Sequence, residues 1–202
     1  MAKTLETDIQ PAVTETTAAP RPLPGDPTWD DAVKKMIRVD HAGEFGAVRI
    51  YAGQAAVLGD KHPKAGLIRH MAEQEAVHLE RFNKLINDRG VRPTALAPVW
   101  HAAGFALGAA TTFLGPKAAM ACTQAVEDVI DRHYEEQLET LKAQAPETES
   151  DLIETIETFQ AEEVEHKRIA EEHGAEEAAG YPLLSGVIKA GCHAAIWLAK
   201  RV

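Results

Sequence analysis

Two copies of one short motif constrain the fold of this 202-residue chain more than any other feature. Glu-x-x-His occurs as Glu75–His78 and again as Glu163–His166. In each copy the two side chains are about one helical turn apart, so they would project from the same face of a helix. A motif this short also arises by chance, and counting alone establishes no function. Whether the motif has a function must therefore be judged from its position within each helix.

Composition and charge limit the class of protein. With 45% hydrophobic and 26% charged residues, the chain has a globular composition, and its length suits one domain. The net charge of −10 argues against nucleic-acid binding, which needs a basic surface, and against purely electrostatic attachment to anionic lipid. Cys122 and Cys192 are the only cysteines, so neither a disulfide framework nor a thiolate metal site is expected.

The N-terminal segment differs from the rest of the chain. Residues 1–27 contain five prolines and many Thr and Ala residues, and they show no apolar period. The sequence therefore predicts a disordered tail over residues 1–27 and a folded domain over residues 28–202. The tail has no apolar signal core and is too acidic for a transit peptide, so neither is expected.

Helical apolar patterns fill almost all of the remaining sequence, and no run alternates as a β-strand would. Thr28 and Ser150 are predicted N-caps, while Pro63, Pro116 and Pro182 suit the first turns of helices. The predicted helices span residues 28–59, 63–90, 94–115, 116–145, 150–174 and 182–202. The expected fold class is therefore all-α.

Both Glu-x-x-His motifs lie on the apolar faces of their helices. Residues 75–78 share the apolar stripe of the second helix, and residues 163–166 share that of the fifth. The neighbouring Glu162 and Glu165 are rotated by about 100° and 200° from this stripe and are expected to face water. A carboxylate and an imidazole that point into a core must be paired or bound to a metal.

Glu44 in the first helix and Glu127 in the fourth also lie in line with apolar residues. Sixteen residues separate Glu44 from the turn near Asp60, and 13 to 16 separate His62 from the first motif. At about 1.5 Å per residue, both arms are about 20–24 Å long, so these groups meet at one level in an antiparallel pair. The fourth and fifth helices bring Glu127 and the second motif together in the same way.

The sequence thus repeats a helix with one inward Glu followed by a helix with an inward Glu-x-x-His. This pseudo-two-fold set is the di-metal arrangement of a ferritin-like four-helix bundle. Buried ionisable groups without cations would be strongly unfavourable, although hydrogen-bonded polar groups in a plain bundle remain an alternative. Mixed oxygen and nitrogen ligands suit iron or manganese, and iron is favoured if O2 is to be activated. The predicted ligands are Glu44, Glu75, His78, Glu127, Glu163 and His166.

Two apolar segments lie outside this set. Residues 94–116 contain no Asp, Glu, Lys or Arg, and the 17 residues between Pro98 and Pro116 are at the short limit for spanning a bilayer. The last helix carries one apolar face and ends in Trp197, Lys200 and Arg201, as membrane-surface helices do. That face is predicted to contain Leu184, Val187, Ile188, Gly191, Ala195 and Leu198. We expect both segments to lie at a membrane surface, with ordinary core packing as the alternative.

Five stretches resemble the demethoxyubiquinol hydroxylase family, whose members are membrane-associated di-iron monooxygenases of ubiquinone biosynthesis. These stretches are RVDHAGEFGAVRIYAGQ (38–54), EQEAVHLERFNKL (73–85), ACTQAVEDVIDRHYEEQL (121–138), EEVEHK (162–167) and IKAGCHAAIWLAKR (188–201). The resemblance runs from about residue 29 to residue 202 and implies the same six metal ligands. One departure is Asp128, where relatives often carry Glu; this position is expected to lean toward the surface and to matter little.

The resemblance implies an enzyme, 3-demethoxyubiquinol 3-hydroxylase, with two ferrous ions as cofactor and O2 as co-substrate. The reaction is hydroxylation of the ring of a polyprenyl methoxy-methyl-benzoquinol, a late step of ubiquinone biosynthesis. The resemblance also implies that His133 and Tyr134 lie near the quinol and the redox path. It places the protein peripherally on the cytoplasmic face of the bacterial inner membrane.

Some alternatives stay open at this level. A ferritin-like iron-storage protein and a soluble di-iron peroxidase would use a similar ligand set. The sequence does not identify the reductant, the length of the isoprenoid tail, the oligomeric state or any partner protein of the pathway, and it does not distinguish iron from manganese.

Overall fold

The structure is a computed structural model that describes residue 23 and residues 25–202. The predicted tail of residues 1–27 lies outside the described residues except for Leu23 and residues 25–27. The described part of the chain is built from helices and their connections, so the all-α prediction is confirmed. Its helices are α1 (Trp29–Leu58), α2 (Ala65–Asp88), α3 (Ala97–Phe113), α4 (Pro116–Gln144), α5 (Ser150–Glu172), a 3₁₀ turn (Ala175–Glu177) and α6 (Tyr181–Ala199).

Local sequence signals account for most helix ends. The Thr28 hydroxyl accepts a hydrogen bond from the Asp31 backbone N–H at 3.1 Å, and the Asp31 carboxylate accepts one from the Thr28 N–H at 3.0 Å. This capping box confirms Thr28 as the N-cap of α1. The predicted start of α2 is too early, because Lys64 is its N-cap. Ser150 is the first residue of α5 and not its cap, which is Glu149.

Four long helices form the bundle. α1 packs against α2, and α4 packs against α5, while α3 crosses from one pair to the other. One apolar cluster at one end of the bundle includes Ile37, Phe82 and Leu141. A second cluster at the other end includes Met71 and Met120. The predicted metal ligands lie along the four helices between these two clusters.

The crossover helix α3 lies in backbone contact with α1. A Cβ atom added at Gly108 would lie 1.9 Å from the Ile50 carbonyl oxygen, and one added at Gly53 would lie 2.2 Å from the Phe105 carbonyl oxygen. Such close approach needs glycine on both helices, as in the small-residue packing of membrane helices. None of the described helices covers the outer face of α3, and Phe113 at its end is 83% exposed.

The last helix, α6, packs on α4, and Asp128 helps to hold it there. The Asp128 carboxylate accepts hydrogen bonds from Lys167 of α5 at 2.5 Å and from Lys189 of α6 at 2.8 Å. Burial alone would raise the pKa of Asp128, but the two lysines lower it to about 2. The expectation that Asp128 leans toward the surface is therefore wrong, because this buried side chain joins three helices.

The exposed face of α6 also differs from the expected one. Ile188 is only 4% exposed and packs with Ile50, Cys122 and Val126, whereas Val187 is 62% exposed. Because Ile188 packs into this core cluster, the apolar face predicted as one surface is divided between core and solvent. Among the described residues, Tyr181–Ala199 is the one helix long and apolar enough to cross a membrane, by length and composition only.

Candidate metal centre

The structure brings all six predicted side chains together in the middle of the bundle, and each of them is buried. One group consists of Glu44, Glu75, His78 and Glu163, and the other of Glu75, Glu127, Glu163 and His166. Within each group, one candidate ligand atom from every residue lies within 4.8 Å of the others. Glu75 and Glu163 belong to both groups, so they could bridge two ions.

Both histidines turn the same ring nitrogen toward the carboxylates. His78 Nδ1 lies 3.4 Å from Glu44 Oε2 and 3.2 Å from Glu163 Oε1. His166 Nδ1 lies 3.1 Å from Glu75 Oε1 and 3.3 Å from Glu163 Oε2. The lone pair of each Nδ1 can therefore serve as a ligand when Nε2 carries the proton.

The Nε2 atom of each histidine points away from the centre to a partner on the opposite helix. His78 Nε2 lies 2.6 Å from Glu162 Oε2, and His166 Nε2 lies 3.1 Å from Gln74 Oε1. The expectation that Glu162 faces water holds only in part, because its side chain is 38% exposed while its carboxylate contacts a buried imidazole. The same expectation for Glu165 is confirmed, since this exposed side chain pairs with Arg168.

Two tyrosines hold the carboxylates of α1 and α4. The Tyr51 hydroxyl donates to Glu127 Oε1 at 3.0 Å, and the Tyr134 hydroxyl donates to Glu44 Oε1. Each tyrosine follows the Glu of its own helix by seven residues and bonds to the Glu of the other helix. Tyr134 is among the residues predicted from the sequence but Tyr51 is not, although it shows the same spacing of two helical turns from an inward Glu.

Many polar atoms of the cluster have no hydrogen-bond partner among the described residues. They are both carboxylate oxygens of Glu75 and Glu163, Oε2 of Glu44 and Glu127, and Nδ1 of His78 and His166. Buried polar atoms are normally satisfied, and a whole set of orphaned oxygens and nitrogens facing one another is the exception that a cation explains. The donor set fits two divalent metal ions with mixed oxygen and nitrogen ligands.

The charges of the cluster lead to the same conclusion. Burial raises the pKa of Glu75 and Glu127 well above the usual range, and the neighbouring carboxylate of Glu163 raises both further. Burial alone would lower the pKa of His78, but its contacts with Glu163 and Glu44 raise it to about 12. The carboxylates therefore require positive charge in this space, which either protons or metal ions can provide.

His133 lies outside the cluster, although the next residue, Tyr134, reaches it. His133 Nε2 lies 3.2 Å from Asp40 Oδ1 and 2.7 Å from Gln137 Nε2. Asp40 is buried, and Gln137 Nε2 also donates to it at 2.7 Å. The roles that the resemblance implies for His133 and Tyr134 stay predictions.

An apolar cavity of about 400 Å³ lies between α1, α3, α4 and α6. Its wall includes Gly43 and Val126, which directly precede Glu44 and Glu127 in the sequence. On the side of α3 and α6 it is lined by small and apolar residues such as Leu107, Gly191 and Ile196. An apolar ligand could therefore bind beside the residues that directly precede two of the candidate metal ligands.

Comparison with known proteins assigns the chain to a family. The profile of the family described as "Ubiquinone biosynthesis protein COQ7" matches residues 31–199. A Rhodospirillum rubrum protein named 3-demethoxyubiquinol 3-hydroxylase is 53% identical over 180 residues, which cover 89% of this chain and 83% of the relative. A human protein named NADPH-dependent 3-demethoxyubiquinone 3-hydroxylase, mitochondrial, is 50% identical over 171 residues, covering 85% and 78%. The chain belongs to the COQ7 family of ubiquinone biosynthesis proteins.

Proposed function

We propose that this protein is a di-iron monooxygenase that hydroxylates the ring of 3-demethoxyubiquinol with O2. The observation that carries the proposal is the set of six buried, converging ligand side chains in a chain whose relatives are named for this reaction. One oxygen atom enters the ring as a hydroxyl group and the other leaves as water, so the reaction consumes two electrons and two protons. The name of the human relative points to NADPH as their source.

Glu44, Glu75, His78, Glu127, Glu163 and His166 would hold two iron ions. Bound ferrous iron would supply electrons for the activation of O2. The residues around the ligands position the ligand side chains. Tyr51 and Tyr134 donate to one carboxylate oxygen of Glu127 and of Glu44, and the other oxygen of each has no hydrogen-bond partner among the described residues. Each hydrogen bond holds one oxygen of the carboxylate in place, so the two hydroxyls orient Glu127 and Glu44 for metal binding.

The apolar cavity is the proposed quinol site. Its walls offer almost no polar group, which suits a ring that carries a long isoprenoid chain. The ring would lie against the α1 and α4 residues that adjoin Glu44 and Glu127, and the chain would leave between α3 and α6. An iron-storage protein or a soluble di-iron peroxidase does not bind a long apolar substrate. Neither alternative therefore explains an apolar cavity that lies beside α3 and α6.

The same two helices are the proposed membrane contact. Phe113 and Leu114 at the end of α3 are exposed, and so are Leu183 and Trp197 of α6. Soluble monomers rarely expose this much apolar surface without a function. Since the net charge is −10, the contact would be apolar and not electrostatic. We place the protein peripherally on the cytoplasmic face of the bacterial inner membrane, where its substrate is dissolved.

The reaction itself is tested with purified, iron-loaded protein, demethoxyubiquinone, NADPH and isotopically labelled O2. A chemical reductant in a parallel sample separates a failure of the donor from a failure of hydroxylation. We expect a hydroxylated quinone that carries one labelled oxygen, measured by mass spectrometry. Absence of product with both donors, or a label that comes from water, would contradict the proposed function.

Replacement of Glu75 by Gln tests the metal site through stability. Burial raises the pKa of Glu75, and neither of its oxygens has a hydrogen-bond partner in the described part of the chain, so the carboxylate destabilises the metal-free protein. Glu75→Gln should therefore stabilise the chelated protein by roughly 1–3 kcal/mol while it abolishes tight metal binding. Thermal unfolding with chelator and metal analysis measure the two effects. Exposed Glu165→Gln is the control and should change neither; a destabilised Glu75→Gln protein that still binds two ions would exclude our assignment.

The membrane contact is tested at two exposed residues of α6. Leu183 is 75% exposed and Trp197 is 55% exposed, and neither lines the apolar cavity, so Leu183→Asp with Trp197→Asp should leave the core and the proposed quinol site intact. The double variant should lose sedimentation with liposomes and turn over a long-tailed quinol at least about tenfold more slowly, since roughly 1.4 kcal/mol of lost apolar contact gives that factor. A short-tailed, soluble quinol should be converted at the normal rate.

Val77→Asp is the matched control for this experiment, because Val77 is 64% exposed but lies on α2, away from α3 and α6. It should leave liposome binding unchanged. Equal loss of both substrates in the α6 variant would mean that the metal site was damaged, and retained liposome binding would rule out this face as the contact. Ile188 is unsuitable for this test, because it is part of the core.

A further inference from the structure

The two halves of the bundle repeat the same polar contacts around the metal centre. Glu75 and His78 of α2 correspond to Glu163 and His166 of α5, and each half supplies a tyrosine to the carboxylate of the other. The residue directly before the first Glu of each motif is therefore also equivalent. That residue is Gln74 in α2 and Glu162 in α5.

These two equivalent residues make the same contact with different groups, an amide in Gln74 and a carboxylate in Glu162. Each reaches across to Nε2 of the histidine on the opposite helix: Glu162 to His78 at 2.6 Å, and Gln74 to His166 at 3.1 Å. Among the described polar contacts of the six ligands, the two halves differ in charge at this position, where a carboxylate contacts His78 and an amide contacts His166. The carboxylate contact is also the shorter one.

The acceptor behind a ligating imidazole changes the strength of the imidazole as a ligand. A carboxylate that accepts the Nε2 proton pulls it away from the ring and increases the electron density at Nδ1, which faces the metal. An amide oxygen does the same more weakly, because it has no net charge. His78 should therefore be the stronger nitrogen donor.

We propose that Glu162 makes the two metal positions unequal, so that the position formed by Glu44, Glu75, His78 and Glu163 takes up a divalent cation first. The position with His166 and Gln74 fills second. This inference rests on the proposed di-metal function and assigns Glu162 and Gln74 as positioning residues. Neither of them contacts the cation itself in this scheme.

Sequential uptake alone does not test the inference, because two cations in adjacent positions repel each other even when the positions are equal. The test therefore uses anaerobic calorimetric titration with Co²⁺, together with crystals that hold one equivalent of Co²⁺ per chain. Anomalous scattering from those crystals locates the first ion. In the native protein, we expect the first ion beside His78.

Three variants vary the acceptor and keep its length. Glu162→Gln should weaken the first binding step by roughly tenfold, at the lower end of the usual range because Glu162 is 38% exposed. Gln74→Glu should strengthen the second step by a similar factor. The double swap, Gln74→Glu with Glu162→Gln, should move the first ion to His166. Glu165→Gln, a charge loss nearby on α5 without a histidine contact, should leave the titration unchanged.

The outcomes separate this inference from the function on which it rests. Two ions with the first divided evenly between the positions, or a Glu162→Gln titration identical to the native one, would overturn the inference and leave the di-metal proposal intact. A native protein that binds no Co²⁺ in the cluster would overturn both. Circular dichroism establishes folding, and Gln74→Glu decides the question alone if Glu162→Gln does not fold.

Discussion

The burial of four carboxylates and two imidazoles in one bundle is the constraint on which the rest of the structure depends. Their mutual repulsion and lost hydration must be offset, and the surrounding protein offers only a few polar partners for this. Apolar clusters at both ends of the bundle hold the helices in place while the middle carries the unfavourable charges. A pair of divalent cations would offset the repulsion between the carboxylates and would link the four helices through their ligands.

The additional helices are explained by the same site. α3 sits tightly on α1 because glycines allow the backbones to touch, and α6 is held to α4 and α5 through Asp128. Between them they leave an apolar cavity beside the residues that adjoin Glu44 and Glu127. The candidate centre thus has the half-buried histidine partners Gln74 and Glu162 on the side of α2 and α5, and an apolar cavity beside α1 and α4. This arrangement suits the oxidation of a lipid ring, because the cavity can hold the apolar substrate.

Helical periodicity predicted the fold class and the same six side chains, because an inward Glu in a long amphipathic helix is costly unless a cation or a polar partner compensates it. Periodicity failed where a side chain lies at the edge of a face. Glu162 and Asp128 were expected near water, but each meets a group from another helix, which a single-helix pattern does not contain. The burial of Ile188 and the hydrogen bond from Tyr51 to Glu127 are not predictable for the same reason. Both depend on how α6 and α4 pack against the other helices.

The most direct measurement is anomalous diffraction at the iron absorption edge from crystals grown anaerobically with ferrous iron. The central claim is that the buried cluster exists to hold two cations. It predicts two anomalous peaks per chain, one enclosed by each group of ligands, with Glu75 and Glu163 beside both. A cluster without peaks, or iron bound only at surface carboxylates, would contradict it.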